Sequence, residues 1–312
     1  MGIVSYAQNF EDVMLWRALG DRGAGFWIDV GAADPDRNSV TRAFSERGWS
    51  GINVEPTPAY FARLQAARPR EVNLNVALGA TAGSFAFYEC EDPSLSSLDV
   101  AIARRNRDDG RTVRERQIAV MTLAEVCHRH APADIHFLKV DVEGAEAQVL
   151  AGADFEKFRP WIVVVEATLP MTQIDASAAW EPKLLTADYR FAWFDGLNRF
   201  YVADERWDQL GRHFQAPPNV FDGFMLHDPD NRAQAELAHT QAQLAHANGK
   251  LARALAELEC TQAKLARAQP ELAHAQADLA RTRAHLATLR EFDERRLTVR
   301  LRNLMRRMRG AV

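Results

Sequence analysis

Long apolar runs are missing from this 312-residue chain. No stretch reaches the roughly 18 apolar residues that a membrane-spanning helix needs. The first residues, Met1-Gly2-Ile3-Val4-Ser5-Tyr6, lack the basic segment and apolar core of a secretory signal, so none is expected there. Cysteine is scarce: Cys90, Cys127 and Cys260 are far apart and odd in number. They form neither a zinc pattern nor a disulfide framework, which suits a reducing cytoplasm. Overall charge is also small, a net −4, but it is unevenly placed. From residue 231 onward 15 Lys and Arg face 8 Asp and Glu, a net +7; the first 230 residues carry 23 against 34, a net −11. An acidic body disfavours nucleic-acid binding as its business, and only the tail is expected to act on an anionic partner.

What is present is strand and helix in alternation. Phe26-Trp27-Ile28-Asp29-Val30 reads as a strand, and Gly51-Ile52-Asn53-Val54-Glu55 as a second. Residues 73–78 predict a third, 135–140 a central one, and Trp161-Ile162-Val163-Val164-Val165, with no polar alternation, one buried on both faces of a parallel sheet. Helices are expected over 7–19, 38–47 and 58–68, the last with Thr57 as cap and Pro58 at its first position. Two more are expected, over 122–130 with a Thr122/Glu125 capping box and from Glu143 to Gly152. Residues 90–111 read as polar loop. Asp195-Gly196 between two aromatic runs predicts a hairpin. The sum is an α/β doubly wound sheet of about seven strands.

Chemistry concentrates at two strand ends. Asp29, Gly31 and Asp34 follow the first strand, and Glu55 closes the second. Glycine lets backbone approach a ligand, and an acid at the second strand end accepts ribose hydroxyls. Ala33 and Asp34 stand where a full G-x-G-x-x-G would have glycines, so the ligand is expected to be a nucleoside without pyrophosphate, S-adenosylmethionine (SAM) rather than NAD. The second constellation is Lys139-Val140-Asp141-Val142-Glu143-Gly144-Ala145-Glu146, with Glu166 leaving the buried strand. Asp141 is a candidate base for a hydroxyl; alternatively Asp141 and Glu143, with Glu166, hold a divalent metal that acidifies it. Glu146 is expected to do no more than favour a helix start.

Several blocks together resemble the FkbM family of SAM-dependent methyltransferases. They are Ser5-Tyr6-Ala7-Gln8-Asn9-Phe10-Glu11-Asp12, Ile28-Asp29-Val30-Gly31-Ala32, Gly48-Trp49-Ser50-Gly51-Ile52-Asn53-Val54-Glu55-Pro56, Asn75-Val76-Ala77-Leu78-Gly79, Leu95-Ser96-Ser97-Leu98, Phe137-Leu138-Lys139-Val140-Asp141-Val142-Glu143-Gly144 and Asp195-Gly196-Leu197-Asn198-Arg199-Phe200. The resemblance spans about residues 3–226. It implies the class I methyltransferase fold, strand order 3-2-1-4-5-7-6, and methylation of hydroxyl oxygens, commonly on sugars or polyketides. By motif, Asp29 and Gly31 would face the methionine part of SAM, Glu55 the ribose, and Asn75 and Ala77 the adenine. Asp141 and Glu143 would lie near the methyl group, and Gln8, Glu11 and Asp12 would cover the cofactor. Ala33 departs from the family's Gly-Ala-Asn turn.

The C-terminal quarter is different. Leucine recurs every seven residues from 237 to 286, followed three positions later by Thr240, Ala247, Ala254, Thr261, Ala268, Ala275, Thr282 and Leu289. That is a coiled-coil pattern with a thin seam, in which Pro270 is expected to introduce a kink or break. Leu297, Leu301, Leu304 and Met308 then continue among Arg295, Arg296, Arg300, Arg302, Arg306, Arg307 and Arg309. The expected domains are a methyltransferase-like body, 1–228, a coiled-coil arm, 229–292, and a basic amphipathic tail, 293–312. Expected partners are a small-molecule or glycan acceptor, a second copy or a partner helix for the arm, and an anionic membrane surface for the tail; the expected location is the cytoplasm, at or near the inner face of a membrane. The rivals are a catalytically inactive scaffold oligomerised by its coil, and an NAD-linked oxidoreductase, which the missing glycines disfavour.

Overall fold

The computed structural model describes residues 2–227 and 229–309, with side chains described except at 229–239, 241, 242, 292 and 304–309. The chain divides into two units, Met1–Ala233 and Gln234–Val312.

The first unit is built on a mostly parallel seven-stranded sheet. Its strands are β1 (Phe26–Val30), β2 (Ser50–Val54), β3 (Val72–Leu74), β4 (Phe137–Val140), β5 (Ile162–Glu166), β6 (Tyr189–Phe194) and β7 (Asn198–Ala203), in the spatial order β3-β2-β1-β4-β5-β7-β6. Only β7 runs against its neighbours, pairing antiparallel with both β5 and β6 as the Asp195-Gly196 turn requires. Both faces are covered. Successive side chains of a strand point to opposite faces, so Trp27 joins Phe44, Trp49, Phe137 and Phe200 on one side, and Ile28 joins Ile52, Leu138, Val163 and Tyr201 on the other. This two-sided burial explains why β5 shows no alternation.

Several local expectations are corrected. The first helix starts at Glu11, not at residue 7, because Val4–Ser5 pairs with Met225–Leu226 and Phe10 takes a left-handed conformation (φ 63°) just before the helix. The helix expected over 38–47 is confined to Arg42–Glu46. Thr57 stands at the N-cap position with Pro58 opening the helix, as expected, but its side chain makes no capping bond; the hydroxyl donates to Glu55 instead. The stretch 73–78 divides between β3 and a separate strand, Ala77–Leu78, which joins Gly83–Cys90 and Val113–Met121 in a three-stranded sheet. That last strand, and a helix over Val100–Asp108 inside the expected loop, were not foreseen. The Thr122/Glu125 capping box is formed as expected.

The second unit is described by a single helix, Pro229–Arg309. It runs through Pro270, so the expected break does not occur. Leu244, Leu251, Leu258, Leu265, Leu272, Leu279 and Leu286 are all more than half exposed on it. The side chains of Leu237, Leu304, Met308, Arg306, Arg307 and Arg309 lie outside the described ones. Among the described residues no helix is long and apolar enough to cross a membrane.

Candidate active site

The five parallel strands end on one edge, and the acids singled out in the sequence gather there. Gly31 opens the turn after β1 with φ +82°, a conformation that glycine adopts without strain. It also lies against the end of β4: a Cβ at Gly31 would come within 1.8 Å of the Asp141 carbonyl oxygen. Gly31 and Ala32 donate their N–H groups to the Val54 carbonyl, at 3.0 and 3.1 Å. The turn is thus clamped between β2 and β4. Ala33, at φ 48°, continues it in a conformation that alanine tolerates poorly.

Glu55 sits just past β2, and its carboxylate accepts from the backbone N–H of Thr57 (2.7 Å) and of Ala33 (2.9 Å). Burial pushes its pKa up. Asp34 is buried and committed to the loop: it accepts from the N–H groups of Asp36 and Arg37, both at 2.9 Å, and pairs with Arg63. Asn75 donates to the carbonyls of Glu55 (2.9 Å) and Pro56 (3.0 Å), tying the end of β3 to the end of β2, while Ala77 is buried in the small sheet. Gln8 is exposed and accepts from Asn38 at 3.4 Å.

Asp29 is only 1% exposed. It supports the edge from beneath, accepting from Thr41 at 3.2 Å and lying 3.6 Å from the Lys139 ammonium. The parallel register sets Asp29 beside Lys139 on neighbouring strands. Lys139 also reaches Asp141, at 3.2 Å. Burial alone would strip its charge, but the carboxylates of Asp141, Asp29 and Glu11 outweigh burial and hold it protonated. From sequence alone Lys139 stands in the second constellation without a role of its own. Its signal was there: a lone cation inside the apolar run Phe137-Leu138-Lys139-Val140, where burial demands a partner.

Beyond β4 the chain makes a left-handed turn at Glu143 (φ 55°) and Gly144 (φ 97°), and the helix begins only at Glu146. Glu143 is therefore a turn residue. The turn is held by Ser97, whose hydroxyl donates to the Glu143 carbonyl (2.7 Å), and by Glu146, which accepts from the N–H groups of Val142 (3.0 Å) and Gly144 (3.1 Å). Carboxylate oxygens of Asp141, Glu143 and Glu166 then fall within 4.8 Å of one another, a spacing that could hold a metal ion. Glu166 is buried to 8% exposure, whereas the Asp141 side chain keeps 32%. Burial, then the Asp141 and Glu143 charges, push the Glu166 pKa up to about 11. Glu143 is raised as well, by burial and by the Asp141 charge. One oxygen of each, Oε2, is buried with no hydrogen-bond partner.

Residues 29–191 match the family model of the methyltransferase FkbM domain, more than half of the chain. The chain belongs to the FkbM methyltransferase family. A search of curated proteins finds no match. In this FkbM methyltransferase the block around Gln8 and the Asp195 hairpin meet each other: Asn198 donates to Glu11 (2.8 Å), and Asn9 to the Asp195 carbonyl (3.1 Å). Asp12 closes the preceding loop, accepting from the Ser5 hydroxyl (2.8 Å) and the Tyr6 and Ala7 N–H groups (2.7 and 3.2 Å). Glu11 and Asp12 are thus consumed in joining chain segments.

Proposed function

We propose that this methyltransferase uses SAM to methylate a hydroxyl oxygen of a sugar, a glycan or a related natural product. What carries the reading is the carboxylate cluster Asp141, Glu143 and Glu166 beside Lys139, at the same sheet edge as Gly31 and Glu55. The strand order β3-β2-β1-β4-β5-β7-β6 agrees with a class I methyltransferase fold.

The donor set suits a nucleoside. Glu55 Oε1 is taken by the N–H and the hydroxyl of Thr57, whereas Oε2 accepts only from the Ala33 N–H and keeps a lone pair for a ribose hydroxyl. The Gly31–Ala33 backbone would hold the amino-acid end, with Asp29 and Asp34 shaping the edge from within and Asn75, Ala77 and Gln8 on its flanks. SAM, when bound, supplies a methyl carbon made electrophilic by a sulfonium.

The remaining work falls to the chain. An alcohol must lose its proton as its oxygen bonds to that carbon and the carbon–sulfur bond breaks. Asp141, open to solvent, is the member placed to take the proton. Glu166 keeps its own proton at neutral pH and can donate a hydrogen bond to a sugar oxygen, with Glu143 beside it. The unpartnered Oε2 atoms of Glu143 and Glu166 favour a second route, in which a divalent cation on the three carboxylates acidifies the hydroxyl. Mn2+ titration separates the two: binding lost in Glu166→Gln supports the cation.

The cytoplasm, where SAM is plentiful, is the proposed location, with the arginines of 295–302 resting on an anionic membrane face. The deciding experiment pairs calorimetry of S-adenosylhomocysteine with transfer of labelled methyl to cellular glycans. Asp141→Asn should cut turnover at least a hundredfold and change S-adenosylhomocysteine affinity by less than about threefold. A wild-type chain with no affinity for SAM or its demethylated product would sink the reading.

A further inference from the structure

Among the described residues of its own unit, none covers the seam that the C-terminal helix carries. Leu244 to Leu286 recur at one heptad position, a, and Ala247, Ala254, Thr261, Ala268, Ala275 and Thr282 at position d. The leucines are more than half exposed. The two residues that weaken a helix, Gly249 and Pro270, both fall on position f, the outer side, and leave the seam intact.

We propose that this seam pairs with a second copy of the chain, antiparallel, about a two-fold axis near Cys260 and Thr261. Parallel pairing would stack leucine on leucine and then alanine or threonine on its like, giving alternately wide and narrow layers. Antiparallel pairing sets every a residue against a partner's d residue. Leu258 then meets Thr261, Leu251 meets Ala268, Leu265 meets Ala254, and Leu244 meets Ala275. Each layer holds one large and one small side chain, which packs at even spacing.

Charge selects the register. In an antiparallel pair position g faces position g of the partner. The g residues in order are Gln243, Lys250, Glu257, Lys264, Glu271 and Asp278. With the axis near 260, Glu257 faces Lys264 and Lys250 faces Glu271, and symmetry repeats both pairs. Sliding by one heptad either way sets Glu257 against Glu257 and Lys250 against Lys264, or Lys264 against Lys264 and Glu257 against Glu271. Position e brings no opposition, since Leu255 faces Gln262 and Asn248 faces Gln269. In a parallel pair Glu257 and Lys264 would meet only Gln262 and Gln269, so their charges would select nothing.

The test uses the full chain. Light scattering should give twice the 35.0 kDa of one chain. Lys264→Glu should weaken the dimer roughly tenfold, and Glu257→Lys with Lys264→Glu in one chain should restore it. All these positions are exposed, so folding is not at stake. In a Cys260→Ser background, a spin label at His274→Cys should sit about 44 Å from its mate, since 274 lies level with 245 of the partner and each residue rises about 1.5 Å. A parallel pair would bring the labels within about 20 Å. A monomer, a larger assembly, a short label distance, or a dimer indifferent to Lys264→Glu would each overturn the proposal. None of these readouts depends on methyl transfer.

Discussion

Two glycines with the same backbone angle separate conformational strain from close packing. Gly31 and Gly48 both have φ +82°. Around Gly48 a Cβ would meet nothing within 4 Å; at Gly31 it would come within 1.8 Å of the Asp141 carbonyl oxygen and 2.9 Å of its carbon. Gly48→Ala should therefore lose only the left-handed penalty, about 1–2 kcal/mol. For a unit of this size that is a fall in Tm of about 2–8 °C. Gly31→Ala suffers the same penalty and must also push β1 and β4 apart by more than an ångström. That strains the Asp141 N–H bond to the Val30 carbonyl (3.0 Å) in the middle of the sheet. The loss should exceed about 4 kcal/mol, the range that only core disruption reaches. Urea denaturation of both variants, followed by circular dichroism, gives the two numbers. If they agree within about 1 kcal/mol, the close approach of the turn to β4 is not a structural constraint, and the geometry drawn for the candidate site fails with it.

Lys139→Met should destabilise by about 3–5 kcal/mol, because it leaves Asp29 buried and unpaired; adding Asp29→Asn should recover much of the loss, measured as a double-mutant cycle. Ala33→Gly should stabilise by about 1 kcal/mol, since φ 48° strains alanine; an unchanged or lower Tm would remove that account of the turn. Glu11, raised to about 7 first by burial and then by the Asp195 charge, binds a proton in the folded state that the unfolded chain has already released above its ordinary value of 4.5. Stability should thus fall as pH rises between those values and level off above, by on the order of 3 kcal/mol from this group. Glu11→Gln should flatten that part of the profile in urea titrations at pH 5 to 8, and an unaltered slope would refute the assignment.

The alternation of strands and helices, the hairpin at Asp195-Gly196, the capping box at Thr122 and the heptad seam were all legible in the residues. Each rests on local stereochemistry or on a period that a short window displays. The strand Val113–Met121 was not, because an exposed strand with many charges has no apolar alternation to announce it. The limits of the first helix were misread for a different reason. Residues 7–10 read as helix, but Asp12 takes the N–H groups of Tyr6 and Ala7 and Glu11 takes that of Asn9, which holds the stretch as a loop.

The candidate site divides in the same way. Sequence determined which acids stand at strand ends, since a carboxylate cannot remain inside an apolar strand unpaired, and so Asp141, Glu55 and Glu166 were marked in advance. Tertiary structure decided what each one faces. Strand order brings β5 beside β4 and Glu166 onto Asp141, and parallel register sets Lys139 against Asp29. Burial depth separates Asp141, open to solvent, from Glu166, which keeps its proton. Those distinctions arise from contacts between segments more than 20 residues apart, and no local window of the chain contains them.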